Sequence, residues 1–231
     1  MMKTLPLNRQ KRQLSILLTT LMLFLAFGLS MQAHAQAVPQ DDPEKMISVL
    51  SETLIKELNA QRADLEGNPQ KVKAFAKAYV LPYVDTPKMA RYVMGRYWRT
   101  TTEQQQQDFE SEFTTTLMRS YSQSLLKLEI ASVDVKPQIL EKPGRVIVAS
   151  EVTQANGNKT DVIYRAYLNK DTGLWMVYDV TVEGISMLLS YRTTYLSEFG
   201  KYGVDSVISS MKEKNEAFHN QSEEMAVSGK I

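Results

Sequence analysis

The hydrophobic period of this chain changes twice, and those two changes decide what it can fold into. Up to Tyr121 apolar residues return every three or four positions; from about Ile130 they alternate; after Gly184 the helical spacing resumes. Asp42-Pro43-Glu44 marks a helix start, with an acidic N-cap, proline at the first helical position and another acid in the first turn. Ile47, Leu50, Leu54, Leu58 and Leu65 then share one face. Asn68-Pro69 repeats the signal before Val72, Phe75, Ala76 and Tyr79. Thr86-Pro87 opens a third helix carrying Met89, Tyr92, Val93 and Tyr97. Thr101-x-x-Gln104 has capping-box spacing and predicts a fourth, with Phe109, Phe113, Leu117 and Tyr121 at every fourth position.

In the middle segment Val133 and Val135 alternate with polar residues, and Pro137 and Pro143-Gly144 punctuate the chain. Val146, Val148 and Val152 share one strand face, and Asn156-Gly157 marks a hairpin turn. Val162, Tyr164, Ala166 and Leu168 follow, and Asp171-Thr172-Gly173 turns the chain into a strand from Trp175 to Val182. The short connections make the meander antiparallel. Glu183-Gly184 launches a helix through Tyr195 and Phe199, and a last helix runs from Gly203 to about Lys214. The expected class is α+β: a curved antiparallel sheet of about four strands covered by amphipathic helices.

The first 35 residues do not belong to that pattern. Lys3, Arg9, Lys11 and Arg12 precede an apolar run from Leu14 to Leu29, and Ala33-His34-Ala35 fits a small-x-small cleavage site. Residues 1–35 are therefore expected to be a cleaved signal peptide, 36–215 a single domain and 216–231 a polar, flexible tail. The leader holds four of the 27 Lys and Arg and none of the 26 Asp and Glu, so its removal leaves a net acidic chain. That balance gives no reason to expect nucleic acid as a partner. With no cysteine there is no disulfide, thiolate metal site, cysteine nucleophile or lipid-modified N-terminal Cys. The periplasm is the expected compartment.

Chemistry-bearing motifs are scarce. There is no Gly-rich phosphate loop, nucleophile elbow or metal motif, and His219 sits in the polar tail as a solvated side chain. An enzyme would have to use carboxylates of the sheet, with Asp179 and Glu183 first and Glu151 and Asp161 behind them; structural roles compete for each. The chain is instead rich in adaptable apolar groups: all eleven tyrosines and eight of twelve methionines lie beyond residue 35. Such residues either fill a core or line a cavity, and periodicity does not separate the two.

Several segments carry a resemblance. Leu81-Pro82-Tyr83-Val84-Asp85, then Met89-Ala90-Arg91-Tyr92-Val93-Met94-Gly95-Arg96-Tyr97-Trp98, resembles the toluene-tolerance (MlaC) family of periplasmic proteins. Phe109-Glu110-Ser111-Glu112-Phe113 and Tyr121 follow the family's order. Trp175-Met176-Val177-Tyr178-Asp179-Val180-Thr181-Val182-Glu183-Gly184-Ile185-Ser186, with Tyr191-Arg192, is similar to its W-x-V-Y-D-V-x-x-E-G-V-S segment and Y-R helix. Gly203-Val204-Asp205-Ser206-Val207 departs from a Gly-rich F-D-G-L common in the family.

The resemblance implies a non-enzymatic, soluble phospholipid carrier without cofactor, which shuttles its cargo between outer- and inner-membrane complexes and maintains outer-membrane lipid asymmetry. Its implied partners are an inner-membrane ABC transporter complex with an MCE-domain protein and an outer-membrane lipoprotein–porin complex. Acyl chains would enter an apolar lipid pocket between sheet and helices. Tyr83, Met89, Tyr92, Val93 and Tyr97 would form helical walls of that pocket. Val146, Val148, Val162, Tyr164, Val180 and Val182 would form its floor, and Ile185, Leu188, Leu189 and Tyr191 its far side. Arg91, Arg96 and Arg192 are candidates for headgroup or partner contacts. The alternative is a non-catalytic periplasmic interaction protein with a filled core.

Overall fold

The computed structural model describes residues 38–127 and 129–227, with side chains over 38–121 and 129–218. The expected leader at 1–35, the side chain of His219 and the end of the expected tail lie outside these. Four helices come first: α1 (Pro43–Leu65), α2 (Pro69–Tyr79), α3 (Thr86–Met94) and α4 (Glu103–Lys127). Six strands follow: β1 (Ile130–Val135), β2 (Ile139–Lys142), β3 (Arg145–Gln154), β4 (Lys159–Leu168), β5 (Trp175–Val182) and β6 (Ile185–Ser186). Helices α5 (Met187–Tyr202) and α6 (Val204–Val227) end the described chain.

The caps show why the helices begin where they do. Asp42 Oδ1 accepts from the Glu44 and Lys45 N–H groups, and Asn68 Oδ1 from that of Lys71. At α4 the capping box sits one residue later than expected. Thr102 Oγ1 accepts from the Gln105 N–H at 3.2 Å, while Gln105 Oε1 accepts from the Thr102 N–H at 3.0 Å. The third helix stops at Gly95 (φ 54°), so Tyr97 lies on a 3₁₀ segment, Gly95–Arg99, instead of on α3. The last helix runs well past Lys214, since no proline or glycine interrupts 204–227.

The sheet is open and antiparallel, in the order β1-β3-β4-β5-β6, with β2 also paired to β3. Six strands rather than about four arise because β2 and β6 are too short to show a period. Pro137 lies between β1 and β2, which share one edge of β3. Strands β5 and β6 turn through Glu183-Gly184 with φ of 49° and 82°, the left-handed pair of a two-residue hairpin. Glutamate tolerates that region poorly, so Glu183→Asn is expected to stabilise the domain by about 1 kcal/mol in urea denaturation.

Two main apolar clusters result. In one, α3, α4, α5 and α6 bury Met89, Val93, Met94, Phe109, Phe113, Leu188, Phe199 and Met211. In the other, α1 packs Met46, Ile47 and Leu50 on Val146, Val148, Ala166 and Val177 of the sheet. Full burial of such a side chain contributes about 2 kcal/mol.

Candidate functional site

The sheet face beneath α1 is built by register. Across β3, β4 and β5, Val146 stacks with Ala166 and Val177, Val148 with Tyr164 and Val180, and Ser150 with Val162 and Val182. A bulge opposite Arg165 and Ala166 keeps Val177 and Val180 on this face although they are three residues apart. Over its first half Met46, Ile47 and Leu50 close the space, and Val148 is fully buried. Further along, a cleft of about 150 Å³ opens between helix and sheet. Ser51, Leu54, Ile55, Leu58, Asn59 and Arg62 line it from α1, and Ile130, Val133, Val152 and Tyr164 from the strands.

The cleft is mainly apolar, its polar lining being Ser51, Asn59, Arg62 and the Tyr164 hydroxyl. Burial pushes the Tyr164 hydroxyl above the ordinary phenol range, while the hydroxyls of Ser150 and Ser51 beside it pull it back. Ser150 is buried, and its Oγ has no partner in hydrogen-bond geometry among the described residues.

The fifteen residues expected to line a pocket separate into three groups. Tyr83, Val146, Val148, Tyr164 and Val180 belong to the cluster under α1, with Val162 buried in the same register. Met89, Val93, Tyr97, Leu188 and Tyr191 belong to the helical cluster. Tyr92, Val182, Ile185 and Leu189 are exposed. Of the cleft's own lining only Tyr164 was in that set. Ser51, Leu54, Ile55, Ile130 and Val133 are absent from it: the spacing marks Leu54 and Val133 as apolar positions but not which layer faces them. Asn215, the last residue of the expected domain, is a buried clamp. It accepts from Thr116 Oγ1, and its Nδ2 donates to the carbonyl and Oε2 of Glu112.

Two of the four candidate carboxylates, Asp179 and Glu151, are structurally engaged. Asp179 is buried and accepts from Ser186 Oγ at 2.8 Å and from the Leu188 N–H at 3.1 Å, with Arg165 Nε 3.9 Å away. Glu151 pairs with Lys159 at 2.7 Å, and Glu183 lies exposed in the hairpin turn. Arg192 turns inward to donate to the Tyr92 carbonyl and lies 4.7 Å from its ring centroid. A Cβ at Gly95 would meet that guanidinium at 2.9 Å, so glycine there permits the contact between α3 and α5. Among the described residues no three His, Cys, Asp or Glu gather as a metal site, and no helix is long and apolar enough to cross a membrane.

Known proteins share this architecture. A phospholipid-binding protein from Ralstonia solanacearum, solved in complex with a phospholipid, superposes with a TM-score of 0.65 at 26% identity, covering 74% of this chain and 98% of that one. The intermembrane phospholipid transport system binding protein MlaC of Haemophilus influenzae is 22% identical over 179 residues, 77% of this chain and 84% of that protein. Toluene tolerance protein Ttg2D of Pseudomonas putida is 26% identical over 169 residues, 73% of this chain and 78% of its own length. The family model for the MlaC protein matches residues 48–213, and the chain therefore belongs to the MlaC family.

Proposed function

We propose that this protein is a periplasmic phospholipid carrier whose acyl chains lodge between α1 and the inner face of the sheet. The observation that carries the reading is the apolar cleft over Val133, Val152 and Tyr164, in a fold shared with a relative solved holding a phospholipid. Its 150 Å³ is below the roughly 300 Å³ at which ligand pockets begin. Loading therefore requires α1 to move off the sheet, with Leu54, Ile55 and Leu58 exchanging contacts with strands for contacts with lipid. Each methylene so buried contributes about 0.8 kcal/mol, which offsets withdrawal of the chain from a bilayer. The hydroxyls of Ser51, Ser150 and Tyr164 suit a lipid ester, which would offer them an acceptor in the cleft. No covalent chemistry is required. The donor and acceptor would be the outer-membrane lipoprotein–porin complex and the inner-membrane MCE-domain transporter.

Native mass spectrometry of protein recovered from the periplasm without detergent tests this directly. The expected spectrum shows a stoichiometric mass increment matching phospholipid. Protein that stays lipid-free both as isolated and after incubation with phospholipid vesicles would instead leave an interaction protein with a filled core.

A further inference from the structure

The outward face of α3 and the 3₁₀ segment after it is unusually cationic. From Thr86 to Thr102 the chain carries Lys88, Arg91, Arg96 and Arg99 and no acid. Helical spacing buries Met89, Ala90, Val93 and Met94, which turns Arg91, Tyr92, Arg96 and Arg99 toward solvent. Lys88 bends back over the Tyr167 ring, 3.5 Å from its centroid. Arg91 and Arg96 instead lie over Trp98 and Tyr97, at 5.9 and 5.1 Å. Among the described residues none of Arg91, Arg96 and Arg99 has a carboxylate within ion-pair distance.

An apolar patch adjoins these cations. Arg192, packed on Tyr92, stands one turn after Leu189 on α5, and Ile185 lies in β6 immediately before the cap of that helix. Ile185 is 66% exposed, Leu189 53% and Tyr92 46%. Val182, paired with Ile185, continues the register of Val162 and Ser150, so the patch meets the sheet at the same strand ends as the cleft.

We infer that this face docks the protein on an anionic phospholipid bilayer, with Arg91, Arg96 and Arg99 against lipid phosphates and Ile185, Leu189 and Tyr92 in the interface. Unpaired cations beside exposed aliphatic and aromatic side chains are complementary to such a surface in both charge and polarity. A purely electrostatic protein contact would not need two half-exposed aliphatic residues at its edge. The inference rests on the carrier reading only for the reason the protein visits a membrane.

Co-sedimentation with vesicles tests it, using phosphatidylcholine alone and phosphatidylcholine mixed with phosphatidylglycerol. Wild-type protein is expected to bind the mixed vesicles, to release as salt rises, and to ignore the neutral ones. Reversing three charges in R91E/R96E/R99E should weaken partition on the order of 100-fold with an unchanged melting temperature. The double variant I185S/L189S should lose the part of binding that persists at high salt. Equal binding to both vesicles, or a charge-reversed variant that sediments like wild type, would overturn the inference. Failure of wild type to bind either would do so too, and would turn the face toward a protein partner. Lipid content of the wild type is read separately by mass: its absence would sink the carrier reading and leave the vesicle result standing.

Discussion

A glutamate at Val148 is expected to unfold the domain, whereas a glutamate at Ile55 is expected to leave it folded and lipid-free. Val148 is fully buried in a cluster with Met46, Ile47, Val146 and Ala166, none of whose side chains can pair a carboxylate. Burying the charge, or protonating it and still lacking a partner, costs several kcal/mol against the roughly 5–15 kcal/mol that holds a typical domain together. Ile55 is only half-buried, at the lining of the cleft, where a carboxylate reaches water at a cost of about 1 kcal/mol. The same charge makes the cleft unfit for an acyl chain. Thermal melting and lipid extraction on both variants separate the two effects. Phospholipid retained at wild-type level by folded Ile55→Glu would show that the acyl chain does not use this cleft. A folded, lipid-free Val148→Glu would move the pocket to the first half of α1. The pocket implied by the family resemblance suggests that glutamate at Val148 or Val180 expels lipid and spares secondary structure; the full burial of Val148 argues for unfolding at that position instead.

That reversal marks where the sequence stops being informative. Helix starts such as Asp42-Pro43 and Asn68-Pro69 are written locally, since cap and capped N–H groups lie within three residues. At Thr101-Thr102 the local signal is degenerate, because adjacent threonines face adjacent glutamines, and only the structure selects Thr102 with Gln105. Strand alternation correctly puts Val146, Val148 and Ala166 on one face, but the same residue types recur at Met89, Val93 and Leu188 in a different layer. Which apolar face meets which is set by contacts far apart in sequence, as when α1 brings Ser51 over Ser150 and Tyr164. Resemblance to a family supplied the function that periodicity could not, yet it did not assign residues to the cleft. Ser150 is the clearest case: in an alternating strand a small polar residue looks neutral, and it gains meaning only from the valines and tyrosine that the register gathers around it.

Asp179→Ala is expected to lower the melting temperature by on the order of 10 °C. The buried carboxylate joins two elements at once: Oδ2 accepts from Ser186 Oγ, and Oδ1 accepts from the Leu188 N–H in the first turn of α5. Ser186 Oγ in turn accepts from the Leu189 N–H at 3.0 Å as the helix cap. Alanine removes an anion from a helix N-terminus and leaves a backbone donor and a hydroxyl unpaired beside β5. Hydrogen bonds to a charged group are worth about 1.5–3 kcal/mol each, so the pair accounts for about 3–6 kcal/mol. Asp179→Asn keeps an acceptor for one of the two donors and should recover roughly half of that loss. A catalytic carboxylate would show the opposite pattern, with an unchanged melting temperature and a lost activity, so a shift below about 2 °C in the alanine variant would defeat the structural role. The helix start that Asp179 secures carries Leu189 and follows directly on Ile185 of β6, so the alanine variant should bind mixed vesicles more weakly even at temperatures where it remains folded.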